Sequence, residues 1–303
     1  MTAADPDSPA LIALDWGTSR LRAYLVAGSG DVRERLSADD GIAAVPAGGF
    51  PATLRRHVGP WLDRFPAVPV VMAGMVGSRN GWVEAPYLEC PVEIDDLGRS
   101  FARADLGGGR EALIVPGLTC RRPGGAPDVM RGEETKIAGA GVRDGVVLTP
   151  GTHSKWAEVA QGRITGFSTF MTGDVYAALK DHTILGMLAQ EPPDETGFAR
   201  GLAAARGAGG LTHLAFSART LVLMGDLAPV QVGPYLSGLL IGVEIDQGLA
   251  MASPGAEITL VAEGVFAASY AAALADRGRT CRVLDPEAVI VAGLLRILDA
   301  SHR

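Results

Sequence analysis

A carboxylate at the end of an apolar run, followed at once by a glycine and two hydroxyls, is where chemistry can begin in this 303-residue chain. Leu11 to Leu14 is apolar, and Asp15-Trp16-Gly17-Thr18-Ser19-Arg20 follows. Such a turn offers unpaired backbone N–H groups with no bulky side chain beside the glycine, a concavity that suits phosphate oxygens. Asp15 offers a hard oxygen ligand of the kind that holds the Mg²⁺ travelling with a nucleotide. A plain hairpin with a satisfied aspartate leaves the same trace, so the motif alone decides nothing. A second copy adds weight. Leu148-Thr149-Pro150-Gly151-Thr152-His153-Ser154 repeats the plan: Gly17 superposes on Gly151, Thr18 on Thr152, Leu14 on Leu148 and Asp15 on Thr149. Two strand–turn–strand units in two halves of one chain point to two related lobes, whose Gly-Thr turns can grip one polyphosphate.

Three other stretches carry groups that could serve such a site. Gly74-Met75-Val76-Gly77-Ser78-Arg79-Asn80-Gly81-Trp82 follows the apolar run Val70 to Met72. In open α/β sheets ligands gather at such strand ends. There Arg79 can fork onto a carboxylate, and Ser78 and Asn80 can bond hydroxyls. A solvated surface loop is the competing reading. Glu133 and Glu134 open a helix just upstream of the second Gly-Thr turn. A helix dipole favours acids there, yet a general base for a hydroxyl belongs in the same place. Glu263-Gly264 ends a strand and opens a helix, and can hold the ribose or adenine side of a nucleotide. Gly225 is read as the exit of a further strand, Thr220 to Met224, on the same side.

The elements that must position these groups follow an α/β pattern. A strand pair closes on each Gly-Thr turn, and Gly30 to Gly41 adds a third strand to the first. Phe50 to Phe65 carries Leu54, Val58, Trp61 and Leu62 at helical spacing. Ile94 to Ala104 reads as a small helix or connection, and Ala112 to Val115 as a strand. Thr172-Gly173-Asp174 reads as a turn before a helix, with Thr172 or Asp174 as its cap. Gly197 to Ala218 and Pro234 to Ala250 are helical, and Ile258 to Ala262 is a strand. The Pro- and Gly-rich stretch Cys120 to Pro127 is the most linker-like in the chain. It divides the chain into an N-terminal lobe, 1–120, and a C-terminal lobe, 121–303.

Composition narrows the function classes. Hydrophobic residues make up 48% and charged residues 20%, ordinary globular proportions. The longest apolar runs fall short of a membrane span, and the polar, acidic opening MTAADPDSP is expected to be a frayed tail without a signal segment. Three cysteines, far apart and odd in number, argue for a reducing cytoplasm and against a zinc site. A net charge of −7 argues against a nucleic-acid surface.

LDWGTSRLRAYL, VMAGMVGSRNGWVEAPYLECP, DVMRGEETKIAGA, LTPGTHSKWAEV, FMTGDVYAAL and LMGDL together closely resemble the 2-keto-3-deoxygalactonokinase family, in order and over nearly the whole chain. The resemblance implies the actin-like, sugar-kinase and Hsp70-type ATPase superfold, related to ribonuclease H. That means two α/β lobes of βββαβαβα type with an active-site cleft between them. It also implies ATP-dependent phosphorylation of a small sugar acid with Mg²⁺, at the C6 hydroxyl of 2-dehydro-3-deoxy-galactonate. A homodimer is left open. Carried over by position, Asp15 to Arg20 becomes the first phosphate loop, with Asp15 on Mg²⁺ through water. Thr149 to Ser154 becomes the second, which adds Gly151, Thr152, His153 and Ser154. Gly74, Met75, Ser78, Arg79 and Trp82 become the sugar-contacting loop. In related carbohydrate kinases the base is an aspartate after a glycine. Here Gly132-Glu133 occupies that place, one methylene longer, so Glu133 is the candidate base, with Glu134 and Asp128 as rivals. Competing readings are a kinase for the gluconate epimer or another sugar acid, and a sugar-independent ATPase or phosphatase of the same fold. A nucleotide-driven binding protein of the actin or Hsp70 kind is discounted, because the chain has no spare region for a peptide-binding domain.

Overall fold

The structure is a computed structural model that describes residues 7–121 and 125–302. The sequence expectations for the opening residues 1–6 and for Arg122, Pro123 and Gly124 of the linker-like stretch lie outside the described residues. The chain divides into two compact units. The first holds the described residues up to Arg143 together with Val159–Phe167 and 285–302, and the second holds Asp144–Glu158 and Ser168–Leu284.

The first unit begins with β1 (Pro9–Trp16), β2 (Leu21–Ala27), β3 (Val32–Ala38), α1 (Phe50–Arg64) and β4 (Val70–Ala73). It continues through β5 (Tyr87–Glu89), β6 (Val92–Glu93), α2 (Ile94–Arg99), β7 (Ala102–Gly107), β8 (Arg110–Ile114), β9 (Gly117–Arg121), β10 (Pro127–Met130) and α3 (Glu133–Ala140). Its main sheet has the order β3-β2-β1-β4-β8-β7. β1 pairs antiparallel with β2 and parallel with β4, and β4 pairs parallel with β8. A central strand covered on both faces must be apolar throughout, and Leu11, Ile12, Ala13 and Leu14 are all fully buried. Leu54, Val58, Trp61 and Leu62 of α1 share one helix face and join the same core as Ile12, Leu14 and Met72. The linker-like stretch joins β9 to β10, an antiparallel pair in a small sheet ordered β10-β9-β5.

The second unit opens with β11 (Gly145–Thr149) and most of β12 (Ser154–Ala160), while β13 (Arg163–Phe170) belongs to the first unit up to Phe167. The second unit then carries α4 (Thr172–His182), α5 (Thr196–Ala204), α6 (Leu211–Met224), α7 (Val232–Met251), β14 (Ile258–Val261), α8 (Gly264–Asp276) and β15 (Cys281–Leu284). Its strands run β15-β14-β11-β12, with β14 parallel to both β11 and β15. The duplication read from the two Gly-Thr turns therefore extends to a whole sheet. β1 and β11 each lie between the next strand of the chain on one side and a parallel strand on the other. The last helix, α9 (Pro286–Ala300), returns to the first unit and packs on α3. Gly293 of α9 meets the Thr135 carbonyl and Gly139 of α3 meets the Val289 carbonyl, with no room for a side chain at either position. That close approach fixes the start of α3, where Glu133 stands.

One expected strand is helix. Thr220 to Met224 is the last part of α6, and Gly225 is its left-handed C-cap at φ 80°, its N–H reaching the Leu221 and Val222 carbonyls. A short apolar run fits a helix segment and a strand equally well by periodicity alone, and the preceding helix simply continued through it. Ile94 to Ala104 resolves into α2 followed by the edge strand β7. No described helix is long and apolar enough to cross a membrane.

Candidate active site

In the first unit the groups singled out from sequence converge at the C-terminal ends of β1 and β4. Asp15 is half-buried there, with Arg22 Nη1 at 3.4 Å from Oδ2. The turn beyond it is closed by Gly17 N–H donating to Arg20 O at 2.9 Å. The Gly17 and Thr18 carbonyls accept from Ile42 and Ala43 N–H, so the turn is anchored from behind while Thr18, Ser19 and Arg20 stay exposed. Arg20 faces Asp39 at 3.6 Å. Gly41 lies directly against the Thr18 and Ser19 backbone, where a side chain would displace the turn.

Two glycines let the neighbouring segments close on Asp15. Gly74 has φ 94°, and a Cβ there would stand 2.9 Å from Trp16 O and 3.4 Å from Asp15 Oδ1. Gly132 has φ 108°, and a Cβ there would stand 3.1 Å from Gly74 Cα. Residues with a Cβ rarely adopt such angles, so both positions are glycine for conformation and for space. Asp15, the head of the Gly74–Trp82 loop and the Gly132-Glu133 helix start are thereby gathered at one place.

The adjacent glutamates differ sharply. Glu134 is fully buried, with Oε2 accepting from Gly132 N–H at 2.6 Å and Oε1 from Thr135 Oγ1 at 3.1 Å. Burial, with Glu133 beside it, pushes its carboxyl up to about 7. Glu133 is half-exposed, and its Oε2 accepts from Arg131 N–H at 3.2 Å. Asp128 sits in β10, bonded to Val129 N–H at 2.8 Å. Glu133 and Asp128 are both partly exposed, and Glu133 directly follows Gly132, the glycine that lies against Gly74.

The Gly74–Trp82 loop is a short 3₁₀ turn at Met75–Gly77 followed by Ser78 to Trp82. Trp82 stacks on Phe50 at 6.2 Å, and Phe50 meets Trp16 edge-on at 5.5 Å. Arg79 is exposed, while Met75 is half-buried. Arg131, which sequence reasoning missed, is buried beneath this loop. Its guanidinium donates to Ala85 O at 2.8 Å and lies 4.2 Å from the Tyr87 ring centroid. A Cβ on Gly77 would stand 3.1 Å from Arg131 Nη1. Among the described residues, three buried side-chain polar atoms lack a hydrogen-bond partner: Ser78 Oγ, Arg131 Nη1 and Thr149 Oγ1. Two belong to this loop and its floor, and the third to the residue that ends β11. Buried polar groups are ordinarily satisfied, so their grouping at candidate-site segments is informative.

In the second unit, Gly151-Thr152-His153 lies against the first turn of α4. Gly173 packs on the Gly151 carbonyl, and Asp174 N–H reaches Thr152 O at 3.2 Å. Neither Thr172 nor Asp174 caps α4 with its side chain, since Met171 holds the N-cap position. Asp174 Oδ2 instead meets His153 Nε2 at 2.7 Å. Gly151, Thr152, Thr172 and Asp174 line a cavity of about 460 Å³ whose walls include Phe198, Val265, Phe266 and Tyr270, with Lys180 and Glu195. A mostly apolar concavity edged with polar groups is the usual form of a small-molecule site. Ser154 is buried, its Oγ 3.0 Å from the Tyr270 hydroxyl. Glu263 and Gly264 are exposed and immediately precede the lining residues Val265 and Phe266. Gly225, at the end of α6, is not part of the lining.

A family model described as 2-keto-3-deoxy-galactonokinase matches residues 15–297, nearly the whole chain. The chain belongs to the 2-keto-3-deoxy-galactonokinase family. A relative from Rhizobium meliloti (strain 1021), named for 2-dehydro-3-deoxygalactonokinase activity, is 36% identical over 93% of this chain and 94% of its own length. The 2-dehydro-3-deoxygalactonokinase of Escherichia coli (strain K12) is 34% identical over 95% of this chain and 97% of its own. A crystal structure described as a 2-dehydro-3-deoxygalactonokinase protein from Sinorhizobium meliloti superposes with a TM-score of 0.86. It is 34% identical and covers 96% of this chain and 98% of that one. The duplicated sheet is that of the actin-like ATPases, as the resemblance implied. Family membership makes the chain a phosphotransferase that uses ATP and acts on a small sugar acid.

Sequence reasoning could have found Gly41 only as a glycine of unknown purpose, and Gly132 only as the glycine that precedes the candidate base. Glu244, a charge inside the long apolar helix α7, did leave a signal. Arg131 left none, because an arginine before a helix start is ordinarily solvated.

Proposed function

We propose that this chain transfers the γ-phosphoryl group of ATP to the C6 hydroxyl of 2-dehydro-3-deoxy-D-galactonate. The observation that carries the reading is the packing of Asp15, Gly74 and Gly132-Glu133 at one point, within a chain of this kinase family. Glu133 is the base that takes or orients the sugar hydroxyl proton, a role that needs a carboxylate with solvent access rather than a sealed one. Glu134, fully buried, and Asp128, on β10, support the local structure. The Gly74–Trp82 loop receives the sugar acid, with Arg79 as the cation for its carboxylate.

The Gly17–Arg20 turn and the Gly151–His153 turn meet phosphate oxygens with backbone N–H groups. The cavity behind the second turn takes the nucleoside, and Glu263-Gly264 lies at its edge. Asp15 fits Mg²⁺: it is a half-exposed oxygen donor at the end of a strand, and Mg²⁺ draws most of its ligands from water and phosphate. When bound, the ion supplies charge stabilisation on the phosphate oxygens. Phosphoryl transfer otherwise demands mainly alignment, which the anchored turn and the glycine contacts provide. The three cysteines, all thiols rather than disulfides, and the ATP requirement support a cytoplasmic setting.

The test is an ADP-release assay with ATP, Mg²⁺ and a panel of 2-keto-3-deoxy sugar acids, with a no-sugar control. Turnover on the galactonate derivative well above the gluconate epimer is expected. Equal turnover on both would widen the substrate class, and ADP release independent of sugar would overturn the kinase reading.

A further inference from the structure

The second unit contains a buried carboxylate to which the reading above gives no role. Glu244 lies in α7 and is 2% exposed. Its Oε1 accepts from Trp156 Nε1–H at 3.0 Å and its Oε2 from the Tyr270 hydroxyl at 2.7 Å. Thr172 and Ser154 hydroxyls bond it as well. One helical turn on, Gly248 leaves the space that the Trp156 indole fills. Burial pushes the Glu244 carboxyl above its ordinary range, and hydrogen bonds from Thr172, Tyr270, Trp156 and Ser154 work against that by favouring the charged form.

Each of those donors leads to the candidate nucleotide site. Ser154 and Trp156 follow the Gly151-Thr152-His153 turn on β12, Thr172 opens α4, and Tyr270 comes from α8. Thr172 and Tyr270 also line the cavity. A single carboxylate on α7 therefore ties together β12, α4 and α8, the elements that carry the turn and the cavity wall.

Proton bookkeeping sharpens the role. Trp156 Nε1 can only donate, and Tyr270 has one hydroxyl hydrogen, which goes to Glu244. Ser154 has a single hydroxyl hydrogen, and both of its partners, the Glu244 carboxylate and the Tyr270 oxygen at 3.0 Å, accept it. The Ser154 hydrogen is thus directed inward and is not free for a phosphate oxygen.

We propose that Glu244 is a positioning residue for the nucleotide. It holds the second Gly-Thr turn and the start of α4 in register, and it fixes the direction of the hydroxyl hydrogens behind them. The polyphosphate is then met on this side by backbone N–H groups and His153. The proposal rests on the kinase reading above.

The test is calorimetric binding of Mg·ATP to the full chain, together with KM for ATP and KM for the sugar acid, for wild type and Glu244→Gln. Glutamine keeps the shape but places an amide donor against a hydroxyl, reversing the network's polarity. Expected are a loss of about tenfold or more in ATP affinity and a KM for the sugar acid within about twofold of wild type. ATP affinity within about twofold of wild type, or an equal rise in both KM values, would overturn the proposal. If Glu244→Gln does not fold by circular dichroism, Tyr270→Phe decides. It keeps the ring and deletes the hydroxyl that joins Ser154 to Glu244, with an expected loss of about threefold or more in ATP affinity, and unchanged affinity would overturn the proposal. A wild type that binds ATP yet phosphorylates no sugar acid would end the kinase reading, while the ATP-affinity comparison would still decide the role of Glu244.

Discussion

Gly132 rests on Gly74, so close that a Cβ at 132 would stand 3.1 Å from Gly74 Cα. The contact sets the entry of α3 against the loop after β4, and with it the place of Glu133. Gly132→Ala adds both that contact and a side chain at φ 108°. Such a residue costs about 1–3 kcal/mol in strain, to be read as a lowered unfolding midpoint in urea. A misplaced base should also lower kcat by about 10²-fold with a smaller change in KM for ATP. Unchanged kcat would show that the helix entry tolerates displacement.

Glu133 and Glu134 are neighbours with opposite exposure, and their glutamine variants should separate. Glu133→Gln is expected to lower kcat by about 10²- to 10⁴-fold while Mg·ATP binding persists. Glu134→Gln keeps an acceptor for Gly132 N–H and should retain most of kcat. If the larger loss followed Glu134→Gln, the base assignment would pass to the buried residue.

Glu134 also gives stability a pH dependence. Its folded-state carboxyl is raised from 4.5 to about 7, chiefly by burial and then by Glu133. The folded state therefore keeps a proton that the unfolded chain has released. This contribution is complete below 4.5 and is lost as pH rises through about 7. Urea unfolding of wild type across that window should show a falling component that Glu134→Gln removes. An identical slope in the variant would refute the linkage.

Arg79 is exposed, in contrast to the buried Arg131 beneath the same loop. Arg79→Ala should raise KM for the sugar acid by about tenfold or more and leave KM for ATP within about twofold. Steady-state kinetics with each substrate varied in turn would show this, and an unmoved sugar-acid KM would remove Arg79 from the carboxylate role.

The assignment of Thr220 to Met224 as a strand shows where sequence reading ends. An apolar run of strand length carries no information on whether a preceding helix stops, and Gly225 is as good a helix cap as a strand exit. The same ambiguity placed Gly225 on the nucleotide side. By contrast, Leu11 to Leu14 and Val146 to Leu148 are short apolar runs ending at Gly-Thr turns, and both are central buried strands.

The sequence by itself determined the duplicated strand–turn–strand plan, the α/β class, the family and the segments that carry chemistry, because these depend on local residue order. The tertiary structure alone decided which of two adjacent glutamates is sealed, that Gly132 meets Gly74 beside Asp15, and that Glu244 gathers Trp156, Tyr270, Thr172 and Ser154. Burial and contact between residues far apart in the chain arise only when the elements pack, and those packed distances select a base and direct a proton.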